Sequence, residues 1–229
     1  IRLEKLKNSE RLSGFELRSS LHNLQRLPAI YNYDEERCDL TLATLKDTIQ
    51  VPTLRLLSMT LMPPYRRNDW ADSLSLLPDE VKLQWQEGAE EQLNKSGPEP
   101  DTTYAEWGIF LTGRAHALGV PIGAGTDTPI GLAIPGYSLH TEMEFLVRAG
   151  LSPIETLYAA TMRPAEFFLL QSDMGTIDVG KKADLVLLDA NPLEDIAHIR
   201  SVHAVVTKGR FIDRAGLSKL VSEAHGQTQ

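Results

Sequence analysis

The residues best suited to chemistry stand at the end of one short run, Val120-Pro-Ile-Gly-Ala-Gly-Thr-Asp127-Thr-Pro129. An apolar stretch narrows into small residues and then presents a carboxylate. A buried parallel strand that ends at an active site has this pattern, because small side chains let a neighbouring backbone or a ligand approach closely. In barrels of alternating strands and helices the chemistry sits at the C-terminal ends of the strands, which is where Asp127 falls. A strand-to-loop turn closed by an Asx cap accounts for the same residues.

Four further side chains could serve such a site. His22, in Ser19-Ser-Leu-His22-Asn, offers an imidazole, a common metal ligand; a loop histidine beside an apolar strand is the plainer account. His140 opens the helix after the Asp127 loop and could hydrogen-bond a substrate or steady a carboxylate, or simply pack against that loop. Arg55 lies just past the apolar run Ile49–Leu54 and could grip a substrate carboxylate with both arms. Surface salt-bridging explains Arg55 more simply. Thr128 either positions Asp127 or closes the turn. Tyr65, Arg66 and Trp70 are candidates to line a pocket, whereas Trp85 and Trp107 read as core residues.

The elements that must position these groups alternate. Leu17 to Leu24, with His22, reads as a strand ending in a loop. Asp34 to Asp47 follows as an amphipathic helix, with Leu40, Leu42 and Leu45 apolar. Ile49-Gln-Val-Pro-Thr-Leu54 reads as a buried strand, so the order strand, helix, strand predicts a parallel sheet. Residues 58–104 form a long excursion with a helix from Asp79 to Leu93 and a polar linker over 95–101. In this architecture such an insertion covers the catalytic face. A helix from Tyr104 to Ala117, stopped by Gly119, leads back to the Asp127 run. Another spans Leu139 to Ala149, and Ser152-Pro153-Ile154-Glu155 is a capping box opening the next. From Gly175 the texture changes to short β units: Asp184–Asp189, Val202–Thr207, then a Lys208-Gly209 turn into Arg210–Asp213. A short helix begins at Leu217, and no internal repeat is present.

With 229 residues and 42% hydrophobic content, the chain can build a substantial core. The net charge of -8, from 23 basic and 31 acidic residues, argues against nonspecific nucleic-acid binding, which needs clustered Lys and Arg. Cys38 is the only cysteine, so no internal disulfide forms and the redox compartment stays open. No apolar run approaches the roughly 20 residues of a membrane span. Ile1 is not an initiator, so the chain reads as beginning inside a larger protein, and its compartment is unknown.

Longer motifs carry a resemblance. Gly175-Thr-Ile-Asp-Val-Gly-Lys-Lys-Ala-Asp-Leu-Val-Leu-Leu-Asp-Ala-Asn-Pro192 resembles the C-terminal segment of amidohydrolase-superfamily enzymes. Gly119-Val-Pro-Ile-Gly-Ala-Gly-Thr-Asp127-Thr is similar to the eighth barrel strand of that superfamily, whose aspartate binds metal. The stretch from Pro135 through His140 to Thr156 resembles the helices that follow in its imidazolonepropionase-like and prolidase-like branch. Ser19-Ser-Leu-His22-Asn and Val51-Pro-Thr-Leu54 also resemble that branch. The former would be its sixth strand, with Leu21 standing where the family carries glutamate.

The resemblance implies an α/β fold: the C-terminal half of a (β/α)₈ TIM barrel over residues 1–174, then a small β-rich domain segment with a C-terminal helix over 175–229. It implies one or two divalent metals, usually zinc, and hydrolysis of an amide, peptide-like or cyclic C–N bond. On this reading Asp127 is metal ligand and catalytic base, His22 a second metal ligand, and His140, Arg55 and Thr128 substrate-binding residues. Such hydrolysis needs a cation that brings the pKa of bound water to about 7 and a base that passes the proton to the leaving nitrogen. The family's His-X-His pair is absent, since no two of the six histidines are two apart, and the bridging lysine and fifth-strand histidine find no place in residues 1–21. The N-terminal half of the barrel is therefore the missing partner, and the remaining ligands are expected upstream. A half barrel would leave an unpaired sheet edge.

The expected partner is a small-molecule substrate, with no nucleic acid and no membrane span; a homo-oligomer stays open. The alternative is a non-catalytic amidohydrolase-like scaffold that has lost its metal site. A nucleotide-binding domain is a weaker reading, because Gly123 and Gly125 run into Thr-Asp-Thr rather than a Gly-X-Gly-X-X-Gly turn. An Asp127 carboxyl facing solvent, away from any cavity, would count against the hydrolase.

Overall fold

Helices carry the chain as far as residue 167 in the computed structural model, which describes residues 14–226 and the side chains of residues 20 and 24–223. The first, α1, spans Gly14–Tyr31. The strand expected over Leu17–Leu24 is therefore a helix. Leu17, Leu21 and Leu24 are spaced four and three apart, a helical period that the short run concealed. His22 sits on this helix, and its side chain lies outside the described residues.

Helix α2, Glu35–Ala43, starts where Asp34 accepts a hydrogen bond from the Arg37 amide at 3.1 Å. Glu35 and Glu36 in its first turn complement the helix dipole. The two expected parallel strands are reduced to a single parallel bridge between Gln50 and Ile122. The Gln50 amide donates to the Pro121 carbonyl at 2.9 Å, and the Gly123 amide to the Gln50 carbonyl at 2.8 Å. Proline explains the brevity: Pro52 and Pro121 each lack the N–H that would extend the ladder. The direction of pairing is as expected. Beyond Pro52, Thr53 takes a left-handed φ of 53° and turns the chain into the short helix α3, Leu54–Leu57.

The excursion holds α4, Trp70–Leu74, and α5, Asp79–Asn94, then an exposed irregular linker. Helix α6, Thr103–Ala117, ends before Gly119 at φ 82°. Helix α7 spans Tyr137–Arg148, and α8, Pro153–Phe167, opens with the capping box read from sequence. Leu42, Leu54, Val120, Ile122, Leu146 and Leu151 belong to one buried cluster that joins α2, α3, the bridge, α7 and the start of α8. Burying each such side chain contributes on the order of 1.5–3 kcal/mol. Trp85 and Trp107 are half-buried rather than core: Trp85 stacks on Trp70 at 6.4 Å, and Trp107 meets the edge of Tyr33 at 5.0 Å.

The last segment is an antiparallel sheet of β1, Leu185–Leu188, β2, Val202–Thr207, and β3, Arg210–Asp213, in the order β1-β2-β3. Asp184 accepts from the Lys208 amide at 2.8 Å. Asp189 binds His203 and Arg214, the first residue of the terminal helix α9, Arg214–Gly226. Both aspartates thus serve the β segment. Among the described residues, no helix is long and apolar enough to cross a membrane.

Candidate functional site

The Asp127 turn is built by close packing beneath it. A Cβ at Gly125 would stand 2.5 Å from Val51 Cγ1, so only glycine lets residues 49–51 lie against this run. The Ala124 amide donates to the Ala159 carbonyl at 2.9 Å and ties the run to α8. Asp127 then adopts a left-handed φ of 51°, and its carbonyl accepts from the Ile130 amide at 2.9 Å. The hydroxyls of Thr126 and Thr128 lie 2.6 Å apart across the turn. The Asp127 side chain is exposed.

Arg55 holds the far side of the turn. Its guanidinium donates to the Ile130 carbonyl at 2.6 Å and the Gly131 carbonyl at 3.3 Å. Only 5% of Arg55 is exposed, which corrects the expectation of surface salt-bridging. Burial lowers its pKa from the usual arginine range, and the nearby carboxylates of Glu142 and Asp127 oppose that shift. Thr53, Asp127 and Leu132, at φ 53°, 51° and 57°, are left-handed non-glycine residues grouped around this arginine, with Gly131 at φ 62° between them. Such strain persists only where the surroundings enforce it, and it concentrates at functional sites.

A shallow pocket opens beside Arg55, lined among others by Met62, Arg67, Trp70, Leu132 and Tyr137. The excursion thus covers one side of the site and supplies Trp70, whereas Tyr65 and Arg66 do not line the pocket. Asp127 does not line it either. The enclosed carboxylate expected from sequence is not what this chain presents.

One wall of the pocket, through Arg67 and Asp69, belongs to a charge network that sequence reading missed. Arg67 donates to Glu144 at 3.0 Å and to Asp69 at 3.2 Å; Arg200 pairs with Glu144 at 2.7 Å and with Asp69 at 3.2 Å. Burial raises the pKa of Asp69, but hydrogen bonding and the two arginines outweigh it and leave the carboxyl below its ordinary range. Burial, then the Asp69 carboxylate, pushes Tyr137 up to about 12. His140 packs edge-on against Tyr137 at 6.2 Å, and its Nδ1 is buried with no hydrogen-bond partner. Burial and then Arg200 lower its pKa. Of the sequence-derived candidates, Asp127, Thr128 and Arg55 come together at the turn, while His140 belongs to the network side.

Glu142 was also missed, although α7 signalled it. Leu139, Glu142, Met143 and Leu146 share one helical stripe, so a glutamate on the apolar face stood out. It is fully buried at 0% exposure.

Among the described residues no group of three or more His, Cys, Asp or Glu side chains could hold a metal ion. The charged neighbour of Asp127 is a guanidinium, which repels a cation. The described residues therefore do not make up the metal site that the resemblance implies.

Residues 104–212 match the amidohydrolase family. An imidazolonepropionase from Geobacillus sp. (strain WCH70) is 35% identical over 117 residues, covering 47% of this chain and 27% of that protein. An ochratoxinase from Aspergillus niger is 37% identical over 93 residues, covering 40% of this chain and 18% of its own length. Among solved structures, bottromycin amidohydrolase superposes with a TM-score of 0.61 at 22% identity, covering 87% of this chain and 47% of that one. The chain thus spans less than half the length of these relatives and shares the fold of the matching part.

Proposed function

Because residues 104–212 carry an amidohydrolase-family segment, we propose that this chain is part of a hydrolase that cleaves a C–N bond in an amide, peptide-like or cyclic substrate. The fold that goes with this reading is the later half of a (β/α)₈ barrel over residues 1–174, followed by a β-rich segment. The observation that carries the proposal is the match of residues 104–212 to the amidohydrolase family. The Asp127 turn supports it by its backbone, a run of small residues packed tightly on its neighbour and strained beside a buried arginine. The exposure of the carboxyl counts against it in this chain alone, and the proposal assigns the enclosing wall to the upstream half of the barrel. The names of the relatives, imidazolonepropionase and ochratoxinase, support the substrate class.

In this reading Asp127 is the proton acceptor. Its carboxylate takes a proton from the attacking water as the C–O bond forms, and returns it to the nitrogen as the C–N bond breaks. The products are a carboxylic acid and an amine. A divalent metal is proposed for the whole enzyme, where it would make that water more acidic; Asp127 offers one oxygen ligand and His22 an imidazole. Arg55, the residue proposed from sequence for a substrate carboxylate, lines the neighbouring pocket with its guanidinium already donating to the Ile130 and Gly131 carbonyls, so its part in substrate binding is to hold the turn. Thr128 and His140 are the remaining proposed substrate contacts.

The test is turnover by the full-length, zinc-loaded protein on a panel of N-acyl amino acids, X-Pro dipeptides and cyclic ureides. Wild type should release amine or open the ring, and Asp127→Asn should lower kcat on the order of 10²–10⁴-fold. Undiminished turnover in Asp127→Asn, or activity of rigorously metal-free protein, would overturn the reading.

A further inference from the structure

Helix α3 begins without a local cap. Thr53, its N-cap residue, makes no side-chain capping bond, and the amides of a first turn have no partner within their own helix. Glu142 on α7 fills the role from 87 residues away: its Oε2 accepts from the Arg55 amide at 2.7 Å. The Leu54 amide also favours the charged carboxyl. The other oxygen, Oε1, is buried without a hydrogen-bond partner. A glutamate fully withdrawn from water is costly to maintain for the sake of a four-residue helix alone.

The contacts continue outward. The residue whose backbone Glu142 holds is the residue whose guanidinium holds the Ile130 and Gly131 carbonyls. Those carbonyls belong to the loop whose first hydrogen bond, from the Ile130 amide to the Asp127 carbonyl, closes the turn. No ion pair joins Glu142 to the Arg55 guanidinium, so the grip passes through the backbone. Room for adjustment is small: a Cβ at Gly131 would stand 2.6 Å from both Leu56 Cδ1 and Met59 Sδ.

We propose that Glu142 is the positioning residue of the Asp127 turn, acting through the Arg55 backbone and guanidinium. The proposal rests on the reading of Asp127 as the catalytic carboxylate, and it makes Glu142 a supporting acceptor rather than a proton carrier. Its role needs an oxygen acceptor at the right reach, not a negative charge.

Amide hydrogen exchange on the intact chain tests this, read at the Arg55 and Ile130 amides. Glu142→Ala should speed exchange at both on the order of tenfold to a hundredfold, the cost of leaving a buried amide without its acceptor. Glu142→Gln, which keeps an oxygen in place, should restore protection at both. Arg55→Met should expose Ile130 while the residue-55 amide stays protected. Should Glu142→Ala not fold, Glu142→Asp, one methylene shorter, replaces it with the same expected direction. Wild-type exchange at Ile130 in the Ala or Asp variant or in Arg55→Met would overturn the coupling, as would failure of Glu142→Gln to restore protection. Exchange is read without substrate, so this outcome is distinct from the turnover test of Asp127.

Discussion

Two charged regions flank the pocket and are built on opposite plans. In the network of Arg67, Asp69, Glu144 and Arg200, each acid meets both bases and every member is largely shielded, with side-chain exposures of 19–31%. At the Asp127 turn one exposed carboxylate stands on a left-handed backbone, near an arginine committed to carbonyl oxygens. The first region has the density of charge that draws the eye to an active site, yet its charges are already neutralised by one another. It fastens the excursion and α7 to the turn Ile196–Arg200 between β1 and β2. The second is sparse, and the proposal assigns the chemistry to its exposed carboxylate. Saturated pairing accounts for structure, whereas strained backbone concentrates at functional sites, which is why the proposal rests its chemistry on the second region.

The sharpest way to break this contrast is Asp127→Asn. Asparagine tolerates the left-handed backbone, so stability should stay within about 0.5 kcal/mol while the barrier rises by about 3–5 kcal/mol. A large loss of stability on thermal unfolding would place Asp127 with the structural network instead.

Next in size is the pH response of Glu142, which burial pushes up to about 7, with the Arg55 amide, the Leu54 amide and the Arg55 charge opposing. Its folded pKa exceeds its unfolded value, so the folded state binds the proton more tightly. The associated stability is fully present below pH 4.5 and is lost as pH rises through about 7. From 1.36 kcal/mol per pH unit the loss is about 3 kcal/mol. His140, held below its ordinary value, works in the opposite sense, gaining stability as pH rises towards its unfolded pKa. Urea titrations of wild type and Glu142→Gln between pH 4.5 and 8 should isolate the glutamate: the wild type weakens relative to the variant as pH rises. Parallel curves would remove Glu142 as the source.

Glu144→Ala should cost about 1–3 kcal/mol of stability, because both arginines would lose a shielded partner. Turnover per folded molecule should hold, and a fall in kcat matching that of Asp127→Asn would erase the distinction between the regions. The smallest effect is expected from Ser152→Ala, about 1 kcal/mol for loss of the α8 capping box. It lies outside both regions and calibrates how a purely structural change registers in the same unfolding and turnover measurements.

The parts of this molecule legible in sequence were those whose causes are local. The capping box at Ser152–Glu155, the stop at Gly119 and the Lys208-Gly209 turn each depend on a few adjacent residues. The strands were harder to read. Pro52 and Pro121 shortened the expected parallel pair to one bridge, and the helical spacing of Leu17, Leu21 and Leu24 was hidden beneath a short apolar run. The network escaped notice because Arg67, Glu144 and Arg200 are separated by 77 and 56 residues, and no periodicity links them. Arg55 was placed correctly near the Asp127 face and given the wrong surroundings, since burial is not a property of its neighbours in the chain.

What the residues determined alone is the carboxylate at the end of a glycine-rich run, the helix caps and the family to which 104–212 conform. These follow from backbone preference and spacing, which act over a few residues. Tertiary structure decided that Arg55 is buried on two carbonyls, that Glu142 caps a helix 87 residues away, and that the densest charge cluster is closed upon itself. Hydrogen bonding and desolvation depend on what the fold brings together, and that is settled only when distant segments meet.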